Sequence, residues 1–301
     1  MRFNDATLHQ LNIFRSVVEN RGFSAAQADL NTSSSTISAQ MKELEKRLGI
    51  TLCQRGRMGF QLTERGEAVY DATKSLFAAS ENFKLSVAHI REDLTGEIRI
   101  GLQDNLASSP NFHLSNALAR FHQRANNVTF RLDEAMVGEQ EARTLDGRYH
   151  LSIGVFPHRL PGLTYRTLFR EEICLYAAIS HPLLKNTNSK ITLSDISNYE
   201  FVSTGLIEEV VPLVRKLSLK RSAFAENMDA AVMLLLSNHY MGFLPIHFAK
   251  TWTDQNILKP LLQKQTRTVV EFHLITRRGV HQPHVVEMFV SDVLRCHGAK
   301  T

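Results

Sequence analysis

The chain has 301 residues, 43% of them hydrophobic and 22% charged, enough for two domains with sizeable cores that need no disulfide or metal to hold them. This composition excludes disordered, collagen-like and low-complexity classes. The three cysteines, Cys53, Cys174 and Cys296, share no short spacing, which argues against a disulfide scaffold or a CxxC zinc site and fits a reducing cytosol.

The formal charge of +5 is mildly basic and points only weakly at nucleic acid. Residues 1–93 hold 12 Lys/Arg against 11 Asp/Glu and the remainder 23 against 19, so bulk charge marks no DNA-binding end. Local charge does. Between positions 40 and 60, Lys42, Lys46, Arg47, Arg55 and Arg57 stand against Glu43 and Glu45. No stretch approaches the roughly 18 unbroken apolar residues of a membrane span. The first residues run into an amphipathic segment rather than an apolar leader core, so a cytoplasmic protein with no membrane partner is expected.

In chain order, Leu8, Leu11, Phe14 and Val18 describe one face of a helix. Residues 20–22 stop it, with Gly22 supplying the turn. Ser24 is expected to cap a short helix from Ala25 to Leu30. A polar break at 31–33 precedes a third helix, with Ile37, Met41, Leu44 and Leu48 on one stripe and Gly49 at its end. Three short helices, the last two joined by a tight polar turn, outline a helix-turn-helix. The other face of the third helix carries Ser33, Ser34, Ser35, Thr36, Ser38 and Gln40. These are poor or neutral helix formers but short enough to approach bases and phosphates; a Ser-rich cap on a solvated face is the plainer reading of the same residues. Residues 52–63 then read as a β-wing, with Arg55 and Arg57 at a tip bent by Gly56 and Gly59.

From Thr63 a long helix is predicted to about Glu92. Val69, Ala72, Leu76, Ala79, Phe83, Ser86 and Ile90 recur in steps of three and four, a heptad seam that fits pairing with a second copy. Beyond it the texture alternates. Strands are predicted at 97–102, 127–132 and 151–155, with helices at 110–125 and 138–146. A second block has strands at 172–179, 200–203, 220–225 and 241–245 and helices near 207–217 and 229–237. A strand at 269–276 and a helix at 285–294 close the chain. Such alternation predicts a parallel sheet with helices on its faces. There is no internal repeat.

The order of elements and the residues at its joints resemble a LysR-type transcriptional regulator over essentially the whole chain. Gly22-Phe-Ser, Leu30, Ser33 and Ser38 fit the family's helix-turn-helix pattern, as do the run from Leu44 to Gly49, Leu52, Arg55 and the run from Leu62 to Gly66. Several spaced matches in the correct order are a specific signal. The runs from Ile98 to Gly101 and from Gly242 to Pro245 fit the effector half. His150 stands where the family often has Asp.

The resemblance implies an α/β protein with an N-terminal all-α winged helix-turn-helix. Its C-terminal part would be a periplasmic-binding-protein-like α/β unit of two subdomains. The expected domains are 1–62 for DNA binding, 63–93 as a linker and dimerisation helix, and 94–301 for effector binding. Within the last, subdomain I takes about 94–165 and 268–301, and subdomain II about 166–267. Expected DNA contacts are Ser33, Ser34, Ser35, Thr36, Ser38, Gln40, Lys42, Arg55 and Arg57; expected dimer contacts are Val69, Leu76, Phe83 and Ile90. The implied partners are double-stranded DNA, a second copy in a homodimer or homotetramer, and a small effector. A ligand at the carboxyl ends of strands selects Gln103, Asn105, Leu106, Ser203, Thr204, Gly205 and His247. Helix capping explains Asn105, Ser203 and Thr204 equally well.

A carboxylate effector is expected, because helix N-termini near 203–207 and 245–247 would face the cleft with no Asp or Glu in 203–206 or 244–249. No metal, cofactor or catalytic residue is expected. His281 and His284 read as a helix entry, Cys174 as a buried small hydrophobe, and no GxSxG, P-loop or GxGxxG occurs. A small-molecule-binding protein or enzyme on the same scaffold is the alternative, disfavoured by the wing and the heptad helix. An architectural DNA-binding protein is disfavoured by the size of the α/β half.

Overall fold

The computed structural model describes residues 4–56, 59–90, 95–124, 127–185, 191–205, 207–280 and 282–299. The chain divides into two compact units, Met1–Phe83 and Lys84–Thr301.

In the first unit, α1 (Asp5–Glu19) is capped by Asn4, whose side chain accepts the Thr7 N–H at 3.0 Å. Its buried face is Thr7, Gln10, Leu11, Ile13, Phe14, Ser16 and Val17, whereas Leu8, expected on that face, is 39% exposed. The face is rotated because two polar side chains find partners inside: Thr7 donates to Asn4, and Gln10 Nε2 donates to Gln40 Oε1 at 3.0 Å. The helix ends with Arg21 and Gly22 donating to the Val18 and Val17 carbonyls. Arg21 takes the left-handed conformation, at φ 55, and Gly22 completes the turn at φ 154. The helix α2 (Ala26–Leu30) has no side-chain cap, so Ser24 does not play the expected role; only its carbonyl is used, by Gln27.

The expected third helix is α3 (Ser34–Leu48), with Ser33 as its N-cap and Gly49 closing it at φ 68. Ile37, Met41 and Leu44 pack with Phe14, Val17 and Leu52. Truncating any such side chain to Ala costs roughly 2–5 kcal/mol. The expected wing is β1 (Cys53–Gly56) paired antiparallel with β2 (Gly59–Leu62). Glu45 ties it to α3, its Oε1 accepting the Leu52 N–H at 2.7 Å and the Cys53 N–H at 3.3 Å. The long helix α4 (Glu64–Ile90) follows, with Thr63 Oγ1 accepting the Gly66 N–H at 2.9 Å. A Cβ on Gly66 would stand 1.9 Å from the Leu52 carbonyl oxygen, so the wing and α4 meet only at a residue without a side chain.

The second unit opens with β3 (Thr95–Leu102), α5 (Leu114–His122), β4 (Asn127–Glu134), α6 (Val137–Leu145) and β5 (Leu151–Gly154), the expected alternation with a shorter first helix. Next come β6 (Leu163–Ala178), α7 (Pro182–Lys185), α8 (Leu193–Ile196), β7 (Glu200–Thr204), α9 (Ile207–Val210) and α10 (Pro212–Lys216). The single helix expected near 207–217 is two, because Pro212 lacks the N–H that would continue the first. The chain continues through β8 (Lys220–Ala225), α11 (Met228–Leu236), β9 (Tyr240–Pro245), α12 (Ile246–Thr253) and β10 (Leu258–Pro260). It closes with α13 (Gln263–Thr266), β11 (Thr268–Arg277) and α14 (His284–Cys296).

These strands form one nine-stranded sheet in the order β4-β3-β5-β11-β6-β9-β7-β8, with β10 also on β6. The expected parallel pairing holds only on the flanks, between β3 and its neighbours β4 and β5, and between β7 and its neighbours β8 and β9. The middle is antiparallel, β11 running against β5 and β6, and β6 against β9. The strand β6 has 16 residues, twice the expected 172–179 segment. Its polar first part pairs with β11 from Leu163 to Ile173, and its apolar end pairs with β9 from Ile173 to Ala177. The main core runs under both flanks and includes Ile98, Ile100, Leu151, Phe201, Phe243, Phe272 and Phe289. No helix among the described residues is long and apolar enough to cross a membrane.

Candidate nucleic-acid interface and ligand cleft

On the first unit, the Ser33 side chain accepts the Thr36 N–H at 3.2 Å and stands 2.8 Å from Ser35 Oγ and 2.9 Å from Thr36 Oγ1. The hydroxyl run is thus partly a cap. Ser33, Ser35, Thr36 and Lys42 are exposed, while Ser34, Ser38 and Gln40 are half-buried. Gln40 is held by Gln10, which ties α3 to α1. Arg57 lies outside the described residues, as does the side chain of Arg55; the Arg55 backbone pairs opposite Phe60 in the wing. Gln10 and Glu45, which set the positions of α3 and the wing, escape a sequence reading because each works through a partner at least seven residues away.

The heptad seam of α4 is divided. Val69 and Leu76 are half-buried against the first unit's own core, beside Tyr70 and Phe77. Ala72 and Ala79 are exposed, Val87 is 37% exposed and Phe83 is 70% exposed. The side chain of Ile90 lies outside those described.

Within the second unit a cavity of about 500 Å³ opens at the carboxyl ends of the parallel strands. Gln103 and Asp104 reach it from the end of β3, Glu134 to Gly138 from β4, and Val155 from β5. From the other flank come Thr204 and Gly205 after β7 and Glu226 to Met228 after β8. The antiparallel middle supplies Glu171, Ile173, Val270 and Phe272 as its floor. A concave apolar space with a few polar groups, at strand ends where the topology switches, is the usual place for a small ligand.

Two family profiles match this arrangement. One, described as a bacterial regulatory helix-turn-helix protein of the lysR family, matches residues 8–67. The other, the LysR substrate binding domain, matches residues 91–295. The chain belongs to the LysR family of transcriptional regulators. The LysR-family protein named HTH-type transcriptional activator BauR, from Pseudomonas aeruginosa, is 34% identical over 292 residues, covering 96% of this chain and 95% of its own. The transcriptional activator CmpR of Synechocystis is 27% identical over 197 residues, covering 64% and 62% of the two chains. In fold, the chain resembles the crystal structure of the LysR-family regulator CbnR, with a TM-score of 0.67 at 22% identity over 98% of this chain and 99% of that one. CbnR complexed with its target DNA gives 0.66 at 23% identity, over 96% and 99%. This LysR-family regulator therefore carries a DNA-binding helix-turn-helix and an effector-binding domain.

Of the expected effector residues, Gln103, Thr204 and Gly205 line the cavity. Gln103 also braces β5, its Oε1 accepting the Val155 N–H at 2.9 Å. Asn105, at φ 57, accepts from Ser108 Oγ at 2.7 Å and closes its own loop. Leu106 is a core residue. Ser203 faces a separate recess with Glu208, Arg215 and Arg221. His247 stands behind the cavity wall, with Nδ1 3.0 Å from Glu171 Oε1 and Nε2 3.1 Å from Ser108 Oγ. Asn105, Leu106, Ser203 and His247 are thus not lining residues.

The physical ground for a carboxylate effector, two helix ends free of acids, holds at α12 and not at α9. Glu208 and Glu209 lie in the first turn of α9 and Glu139 in that of α6, whereas the first turn of α12 holds no acid. Asp104 accepts the Met228 N–H at the start of α11, and Glu171 approaches His247 on α12. Glu208 and Glu209 lie just beyond 203–206, and Asp104 and Glu171 come from distant segments of the chain. Among the described residues no three His, Cys, Asp or Glu side chains are arranged to hold a metal ion. Cys174 is buried, its Sγ 3.2 Å from Thr266 Oγ1, and burial pushes its thiol pKa up.

Proposed function

We propose that residues 1–62 bind operator DNA, that residues 63–93 pair two copies into a homodimer or a homotetramer built from it, and that residues 94–301 hold a small effector in the cleft and pass its state to the DNA-binding part. The observation that carries this reading is the outward face of α3, where Ser35, Thr36 and Lys42 are exposed. Short hydroxyls at a helix N-terminus approach bases and phosphates closely. Ser33, Ser34, Ser38 and Gln40 support that surface as cap and brace, and Arg55 and Arg57 supply phosphate affinity from the wing. In the cleft, Gln103, Thr204 and Gly205 contact the effector. An effector that prefers one cleft geometry shifts the population of subunit arrangements, and so the spacing of the two recognition helices.

The test is a gel shift with the promoter regions flanking the coding gene, in a salt series. Replacing Ser35 and Thr36 with Ala should abolish discrimination between operator and random DNA. Replacing Arg55 and Arg57 with Ala should weaken binding to all sequences and flatten the log–log salt dependence by about two units. Unchanged discrimination and slope would remove both elements from the interface.

A further inference from the structure

We propose that the effector cleft accepts an organic ammonium ion, an amine with an apolar body, and not a carboxylate. This rests on the cleft being the effector site. Five carboxylates, Asp104, Glu134, Glu139, Glu171 and Glu226, line the cavity, and no Lys, Arg or His is among the lining residues. Glu171 is the most deeply buried of them, at 7% exposed, with its Oε1 turned toward His247 Nδ1 at 3.0 Å. An N⁺–H donor entering the cavity forms charge-assisted bonds with the carboxylates that line it and offsets their mutual repulsion.

Three helix ends that would attract an anion, those of α11, α6 and α9, already carry Asp104, Glu139 and the first-turn acids Glu208 and Glu209. Burial holds the Asp104 carboxyl above its usual range, and the charges of Glu134 and Asp229 push the same way. A cation relieves that crowding and an anion adds to it. The ligand is organic because Val155, Ile173, Phe243, Val270 and Phe272 make the rest of the wall apolar. A chelated metal ion is not the fit, since no three acidic or histidine side chains among the described residues converge on one point.

The experiment uses the full-length protein and isosteric probes: n-pentylammonium, n-pentanoate and 1-pentanol, and the matching set with a phenyl ring. Thermal unfolding and calorimetric titration are read at millimolar probe. The ammonium members should raise the unfolding midpoint, as any ligand of the native state does, and the carboxylates should not. Glu171→Gln should weaken ammonium binding about tenfold or more. If that variant does not fold, Glu226→Gln on the exposed rim serves, with a smaller loss. Gly138→Trp should abolish binding, because Gly138 lines the cavity and has open space where its side chain would go. Carboxylate binding that Gly138→Trp abolishes and Glu171→Gln spares would overturn the ammonium class and keep the cleft. Ammonium binding that survives Gly138→Trp would overturn the cleft itself as the site. No midpoint shift with any ammonium probe would overturn the proposal.

Discussion

Asp104 and Met228, 124 residues apart, are joined by a hydrogen bond of 2.7 Å from the Met228 N–H to the Asp104 carboxylate. The contact pins the loop after β3 to the first turn of α11, from one flank of the sheet to the other. It also places a negative group where the helix presents unpaired N–H donors. Asp104→Ala should cost about 1–2 kcal/mol of stability, the cost of leaving that donor unmet. Asp104→Asn keeps an acceptor and sheds a charge that burial, Glu134 and Asp229 all oppose, so it should stay within about 0.5 kcal/mol of the native chain. Urea unfolding of the two variants checks this, and an Asn variant as weak as the Ala variant would mean that the charge itself holds the flanks together.

Gly66 inverts the usual rule for helices. Glycine to alanine inside a helix normally gains up to about 1 kcal/mol. Here the added methyl would stand 1.9 Å from the Leu52 carbonyl oxygen, a backbone atom that cannot swing aside. Gly66→Ala should lower the unfolding midpoint of the full chain and weaken DNA binding by displacing the wing. A midpoint at or above that of the native chain would show that the wing junction tolerates a shift.

Leu76 and Phe83 sit on the same heptad seam yet face different neighbours. Leu76 packs on the first unit's core and Phe83 is 70% exposed. Phe83→Ser should therefore shift sedimentation toward monomers with little change in the stability of the isolated chain. Leu76→Ala should destabilise each chain by about 2 kcal/mol, at the low end for a half-buried side chain. Equal effects of the two on assembly would mean that the whole seam is shared between copies.

The first unit was largely legible in the sequence, because its stripe at Ile37, Met41 and Leu44 and its stop at Gly49 are local signals. The face of α1 was not, since Thr7 and Gln10 are buried through partners that an apolar count ignores. In the second unit the flanks were legible and the middle was not. The first half of β6 reads as polar, and its place in the sheet comes from β11, about a hundred residues later. The cleft shows the same limit. Gln103, Thr204 and Gly205 follow from the rule that ligands sit at strand ends, whereas Glu171 comes from the crossing strand and has no such rule to announce it.

His150 gives the effector-binding domain a predictable response to acid. Burial, then the nearby charges of Arg99 and Arg277, push its pKa down from 6.5 to about 3. Its Nδ1 accepts the Arg99 N–H at 3.0 Å. Below pH 6.5 the unfolded imidazole takes up a proton that the folded one refuses. Stability from this group is complete above about pH 6.5 and is lost as pH falls toward 3, by at most about 1.4 kcal/mol per pH unit. His181, His273 and His297 are lowered in the same direction, chiefly by burial, and steepen the fall. His150→Gln should flatten the pH dependence of the unfolding free energy by up to one proton; an unchanged slope would assign the whole effect to the other three.

The antiparallel middle of the sheet also sets an order of events during synthesis. The edge of β5 is covered by β11, with Ile153 opposite Leu274, so the first flank stays open on one side until the last strand has left the ribosome. Over a hundred residues separate the two, on the order of ten seconds of translation at typical rates. During that interval the chain presents an unpaired apolar edge of the kind that invites aggregation. A chain truncated before Thr268 should therefore be insoluble rather than a smaller working module, and the nascent protein should depend on a chaperone until its final strand arrives.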